Sequence, residues 1–149
     1  MAFCAKPVAL ALIVAALLAA VHADTACQRA RVRDQRNSNP YVIHECDSAG
    51  NYVSKQKTVG TPHWYWCYTP DGDVIVGPSR KIETCACPSE QYRVREANRA
   101  NRKSDPEPAC ANTGHFVPLQ SDASHKWCVN KDTGAVTKQR VPQAQNLSC

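Results

Sequence analysis

Trp64-Tyr65-Trp66-Cys67-Tyr68-Thr69-Pro70-Asp71-Gly72-Asp73-Val74-Ile75-Val76-Gly77 is an aromatic-rich strand, a turn and a second strand, and the pattern occurs twice. Near the other end, Lys126-Trp127-Cys128-Val129-Asn130-Lys131-Asp132-Thr133-Gly134-Ala135-Val136 repeats the Trp-Cys pair with a turn glycine at almost the same distance. A Trp beside a cysteine sets a large apolar surface next to a crosslink, so each copy has the seed of a small core. Pro70 presets the second position of its turn and Gly72 supplies the positive φ, while Val74, Ile75 and Val76 favour an extended strand. Lys131 to Gly134 do the same job in the second copy.

Outward from the hairpins, the amino terminus is an address. Lys6 precedes an apolar run from Val8 to Val21, and Val21-His22-Ala23 places small side chains at both recognition positions of a signal-peptidase site. Residues 1–23 are therefore expected to be a signal peptide, too short to span a bilayer, which takes about 20 apolar residues. The remaining chain is expected to be soluble, secreted and without a membrane anchor. Of nine cysteines only Cys4 leaves with the signal, and the formal charge falls from +5 to +4 with the loss of Lys6. An even cysteine count in an exported chain reads as a disulfide framework.

The cysteines also count the domains. Cys27 and Cys87, Cys46 and Cys110, Cys67 and Cys128, and Cys85 and Cys149 recur at offsets of 60, 64, 61 and 64. Near-equal offsets predict two tandem modules, 24–85 and 86–149, joined at Cys85-Ala86-Cys87 in a fixed orientation. Two small stapled modules suit this composition better than one large core, because domains of about 60 residues bury little surface.

Each copy opens on a polar, helix-friendly segment. Thr25 and Gln28 have capping-box spacing, which predicts a helix from Ala26 to Arg36 that Asn37-Ser38-Asn39-Pro40 ends. In the second copy Ser89 and Glu90 after Pro88 predict a start, and Ser104-Asp105-Pro106 a stop. Neither has an apolar stripe, so both are expected on the surface, held by Cys27 and Cys87. Gly50 with Tyr52 and Gly114 with Phe116 follow, each aromatic expected against the hairpin Trp and each followed by a glutamine, Gln56 or Gln120. The closing segments, Pro78 to Thr84 and Thr137 to Ser148, are expected to be irregular. The fold class is thus small, disulfide-rich α+β, each module a short helix, an antiparallel hairpin and loops.

The inventory argues against an enzyme. His44, His63, His115 and His125 stand in no metal-ligand spacing, no nucleophile motif appears, and Cys85-x-Cys87 belongs to the repeat rather than to a redox or zinc pair. No cofactor and no metal are expected. Arg93, Arg95, Arg99, Arg102 and Lys103 form the densest basic cluster and read as a solvated helix face. Aromatic interleaving is missing, so no nucleic-acid partner is expected. Asn146-Leu147-Ser148 is a glycosylation sequon by pattern.

Cys46-Asp47-Ser48-Ala49-Gly50-Asn51-Tyr52 with Gln56, then Trp66-Cys67, Asp71-Gly72 and Gly77, resembles the thyroglobulin type-1 repeat. Cys110, Gly114, Phe116, Gln120, Trp127-Cys128-Val129, Gly134 and Cys149 match it in the second copy, so the likeness spans nearly all of the mature chain. The resemblance implies the bonds Cys27–Cys46, Cys67–Cys85, Cys87–Cys110 and Cys128–Cys149. It also exposes a departure: the family has six cysteines per repeat, and here Lys57 and Ser121 stand at the third, Tyr65 and Lys126 at the fourth. Both partners of one bridge are missing in both copies, which leaves no stranded thiol.

Some repeats of this kind, the thyropins, inhibit papain-like cysteine proteases by a wedge of loops in the active-site cleft, and two-repeat chains occur among venom and other secreted proteins. Others are binding or spacer modules in extracellular proteins. The resemblance therefore implies a monomeric secreted inhibitor of a papain-like, cathepsin-type protease, or alternatively a non-inhibitory binding module or venom component. The contact candidates it suggests are Pro40, Tyr41 and Val42 before Cys46, Gly60, Pro62, His63 and Trp64 in the middle loop, and Asp71 and Gly72 in the hairpin turn. Second-copy counterparts are Pro106 to Ala109, Asp122 to His125 and Asp132 to Gly134. The longer and more apolar middle loop favours the first copy.

Overall fold

A computed structural model describes residues 23–149; the expected signal peptide lies outside them except for Ala23. The element order is helix α1 (Ala26–Arg36), strands β1 (Lys55–Lys57), β2 (Tyr65–Tyr68) and β3 (Val74–Ser79), helix α2 (Ala86–Asn101), and strands β4 (Leu119–Ser121), β5 (His125–Val129) and β6 (Val136–Pro142). Two three-stranded antiparallel sheets result, β1-β2-β3 and β4-β5-β6. Helix and sheet thus follow one another in the same order in both halves.

The capping box forms at α1: Gln28 N donates to Thr25 Oγ1 at 3.2 Å and Thr25 N to Gln28 Oε1 at 2.8 Å. Only Cys27 and Ala30, one turn apart, are buried on this helix, so the disulfide anchors it. Helix α2 begins at Ala86, three residues before the expected Ser89. Pro88 does not delay it, because an amide in the first turn has no intrahelical acceptor to lose. Two further expectations are corrected. Each hairpin gains a third strand, β1 or β4, and Thr137 to Pro142 is not irregular but most of β6.

Disulfides join Cys27 to Cys46, Cys67 to Cys85, Cys87 to Cys110 and Cys128 to Cys149. They are also much of the core: one cluster is Cys67, Ile82 and Cys85, the other Cys87, Phe116 and Val129. The tryptophans of the Trp-Cys pairs are only half-buried; the cysteine is the buried member. Trp66 lies under Gly77 and meets Tyr41 edge-on at 6.0 Å, and Trp127 carries the Arg140 guanidinium at 4.1 Å from its ring centre. Tyr52 does not take the expected place on Trp66. It packs on Tyr68 and His44 and beneath Gly72, where any Cβ would strike its ring and the backbone φ is +104°. Phe116 does lie in the cluster that Trp127 packs against.

One glutamine clamps each half. Gln56 is fully buried: its Oε1 accepts from Glu45 N at 2.9 Å, and its Nε2 donates to the carbonyls of Glu45 and Val53 at 2.8 and 2.7 Å. Gln120 repeats this with Ala109 N, Ala109 O and Val117 O at 2.7, 3.0 and 2.6 Å. Each side chain ties the segment before it to the first strand of the sheet with three hydrogen bonds, which is why a buried amide is tolerated there.

The junction is clamped as well. Glu83 N and Thr84 N both donate to Thr113 O, Cys87 N donates to Gly114 O, and Lys55 Nζ donates to Glu83 O. His115 reaches Glu83 across the halves at 3.1 Å and Asp132 within its own half at 2.9 Å. Helix α2 packs against β2 and β3 of the first sheet.

Candidate functional site

The middle loop of the first half, Val59 to His63, leaves the sheet after Thr58 and returns at Trp64. Thr58 is buried and holds its base: its N–H donates to Trp64 O at 2.9 Å, its hydroxyl accepts from Trp64 N at 3.0 Å, and its carbonyl meets His63 Nδ1 at 2.9 Å. A second segment lies alongside. Val59 N donates to Tyr41 O at 2.9 Å, and Val42 pairs with Thr58 in an isolated bridge. Two of the three candidate loops, 39–42 and 59–64, are therefore one continuous ridge. Its apolar side chains are turned outward, with Tyr41 65%, Val59 51% and Trp64 41% exposed.

The third candidate is elsewhere. Asp71 and Gly72 sit in the β2–β3 turn, closed by Gly72 N to Thr69 O at 3.1 Å, whereas the ridge sits at the opposite end of β2. Antiparallel pairing puts successive connections at opposite ends of a sheet, so the expected three-loop grouping does not form.

Lys57 and Tyr65 face one another in the β1–β2 register, as do Ser121 and Lys126 in β4–β5. Since Thr58 and Trp64 are a hydrogen-bonded pair, alternation makes Lys57 and Tyr65 a non-hydrogen-bonded one, where Cα atoms approach to about 4.5 Å. These positions thus stand where a crosslink would fit. Side-chain contacts occupy them instead: Lys57 is 3.7 Å from Glu45, and Lys55 Nζ lies 4.8 Å from the Tyr65 ring centre.

The corresponding loop of the second half has only Ala123 and Ser124 between Asp122 and His125. The Asp122 carboxylate accepts from Ser124 N at 2.9 Å and His125 N at 2.7 Å and pairs with Arg140 at 3.1 Å. Those two backbone bonds hold its carboxyl below the usual range against the opposing effect of desolvation, with smaller help from the Ser124 hydroxyl and Arg140. Gln143 Nε2 donates to the carbonyls of Asp122 and His125. Pro106 and Glu107 border this turn in a shallow groove, and Asp132 to Gly134 lie at the other end of β5.

The three arginines of the basic cluster that lie on α2 are matched by acids, while Arg102 and Lys103 follow the helix end. Arg93 pairs with Glu90, Arg95 with Glu107 and Arg99 with Glu96, at 2.5, 2.7 and 2.7 Å, all on exposed surface. Asn146 is exposed. Among the described residues no cluster of His, Cys, Asp and Glu is arranged to hold a metal, and no helix is long and apolar enough to cross a membrane. The clamping role of Thr58 was not legible in the sequence, because it depends on bonds to Trp64 six residues on that no local pattern announces.

The class these features define is a small disulfide-stapled α+β protein that presents loops. Residues 87–149 match the model of the thyroglobulin type-1 repeat. The chain is 29% identical to Homo sapiens thyroglobulin over 111 residues and 30% identical to Sus scrofa thyroglobulin over 123, covering 65% and 73% of this chain and 4% of either relative. It is 30% identical to Mus musculus nidogen-2 over 109 residues, 60% of this chain and 8% of that protein. The chain thus spans less than a tenth of the length of these relatives. It belongs to the thyroglobulin type-1 repeat family, with the matched repeat at residues 87–149.

Proposed function

We propose that the chain is a secreted pair of thyroglobulin type-1 modules, residues 24–85 being the more divergent copy, that inhibits a papain-like cysteine protease with its first-half ridge. The observation that carries this reading is the joining of segments 39–42 and 59–64 through the Val59 to Tyr41 hydrogen bond, which aligns Tyr41, Val59 and Trp64 on one exposed edge. An edge pinned at its base by Thr58 loses little entropy on entering a cleft, so more of its contact energy appears as affinity. It acts by occlusion, without chemistry of its own. Four disulfides suit an oxidising compartment.

A second reading, a non-inhibitory extracellular binding module, is favoured by one observation: the Asp71-Gly72 turn lies away from the ridge and narrows the wedge to two loops. Titration of the refolded, disulfide-intact protein against several papain-like proteases and one serine protease separates the two. Inhibition confined to the cysteine proteases supports the first. No inhibition of any of them at about micromolar concentration supports the second.

A further inference from the structure

Between the halves lies a cavity of about 620 Å³, within the range of small-molecule sites, roughly 300–1,000 Å³. The first half contributes Tyr52, Tyr68 and Ile75 to its wall, and α2 contributes Tyr92. Tyr52 and Tyr68 are ring neighbours at 5.8 Å. Burial, with help from Tyr52 and Asp34, raises the Tyr68 phenol above its usual value, so it stays neutral at physiological pH. Aromatic faces of neutral phenols attract cations.

The charges at the rim point the same way. Arg93 is committed to Glu90 through both Nε and Nη2, and Glu96 to Arg99. Asp71 and Asp73 also line the cavity, both exposed, and neither has an ion-pair partner among the described residues. A neutral hydrocarbon would leave the carboxylates unused, and an anion would meet two uncompensated negative charges.

We propose that this inter-half groove binds a small organic ammonium ion with an aromatic body, its apolar part against the tyrosines and Ile75 and its charge beside Asp71 and Asp73. The site requires both halves and uses no residue of the protease-directed ridge, so it stands or falls independently of inhibition.

Calorimetric titration of the disulfide-intact secreted chain with tryptamine, protonated at neutral pH, and with its neutral isostere indole-3-ethanol tests it. One-to-one binding of tryptamine is expected, about tenfold or more tighter than the alcohol. Asp71→Asn combined with Asp73→Asn, both exposed and with unchanged denaturation midpoint, should erase that preference. Tyr92→Ala should weaken tryptamine about tenfold. The proposal is overturned by absence of saturable binding up to about 1 mM, by equal binding of amine and alcohol, or by an unchanged preference in the double variant. Sedimentation velocity in the same buffer supplies the remaining arm: a dimer that Tyr92→Ala dissociates would assign the groove to a second copy and overturn it too.

Discussion

The connections β1–β2 and β4–β5 solve one problem in two ways. Both bring a strand back along its neighbour without a crosslink at the facing positions, Lys57 with Tyr65 and Ser121 with Lys126. The second half does it with two residues, closed by the Asp122 carboxylate and held from β6 and its end by Arg140 and Gln143. The first uses five residues between Thr58 and Trp64, ties only the base, and leaves Val59 and Trp64 facing solvent. The same order of helix and strands thus carries one connection occupied with its own polar bonds and one whose apolar groups are unpartnered. Only the latter has surface to offer a partner.

The comparison breaks first if the scaffolds are not equivalent. Gln56→Ala and Gln120→Ala each remove a buried side chain that makes three hydrogen bonds to backbone, and each should destabilise by about 3 kcal/mol in denaturant melts with disulfides intact. A difference above about 1.5 kcal/mol between them would show that the halves are not built alike. If the ridge is the inhibitory edge, Trp64→Ala should raise the inhibition constant roughly 10- to 100-fold, a loss of an anchoring aromatic. Ser124→Ala should leave it unchanged, and the reverse pattern would move the site to the second half.

Lys57→Cys with Tyr65→Cys should close an extra bridge and stabilise by about 2 kcal/mol on the chain-entropy estimate, seen by mass spectrometry and by the denaturation midpoint. A pair that stays reduced would refute the register assigned to β1 and β2. The smallest effect is in pH. Asp122 is depressed when folded, so its contribution is present above the ordinary aspartate range and lost as pH falls through the lower folded value. Amide exchange at Ser124 and His125, corrected for intrinsic rates, should quicken below about pH 4, while Val59 and Trp64, whose acceptors do not titrate, should not. Equal quickening at both would mean global loosening.

Much of this was legible from residue types alone. The Thr25 and Gln28 capping box, the Gly72 turn and the run Val74 to Val76 act locally, so their partners are a few residues away and the pattern carries them. The start of α2 was misplaced because Pro88 looks like a barrier until its first-turn position is known. Strands β1 and β4 were invisible: Lys55-Gln56-Lys57 has no strand composition, and it is extended because β2 offers it a ladder and Gln56 a buried clamp. Tyr52 was sent to the wrong aromatic for a related reason, since sequence gives it a neighbourhood but not a direction.

By itself the sequence determined the recurring cysteine spacing, the start of α1 that its side-chain cap specifies, and a family likeness on Trp66-Cys67 and Trp127-Cys128. Those properties rest on covalent chemistry and on interactions within a few residues. Tertiary structure alone decided that Tyr41 joins Val59 and Trp64 while Asp71 and Gly72 go to the far end, and that α2 closes a groove over Tyr52 and Tyr68. Such outcomes depend on strand direction and on the packing of segments tens of residues apart, and no local spacing encodes either.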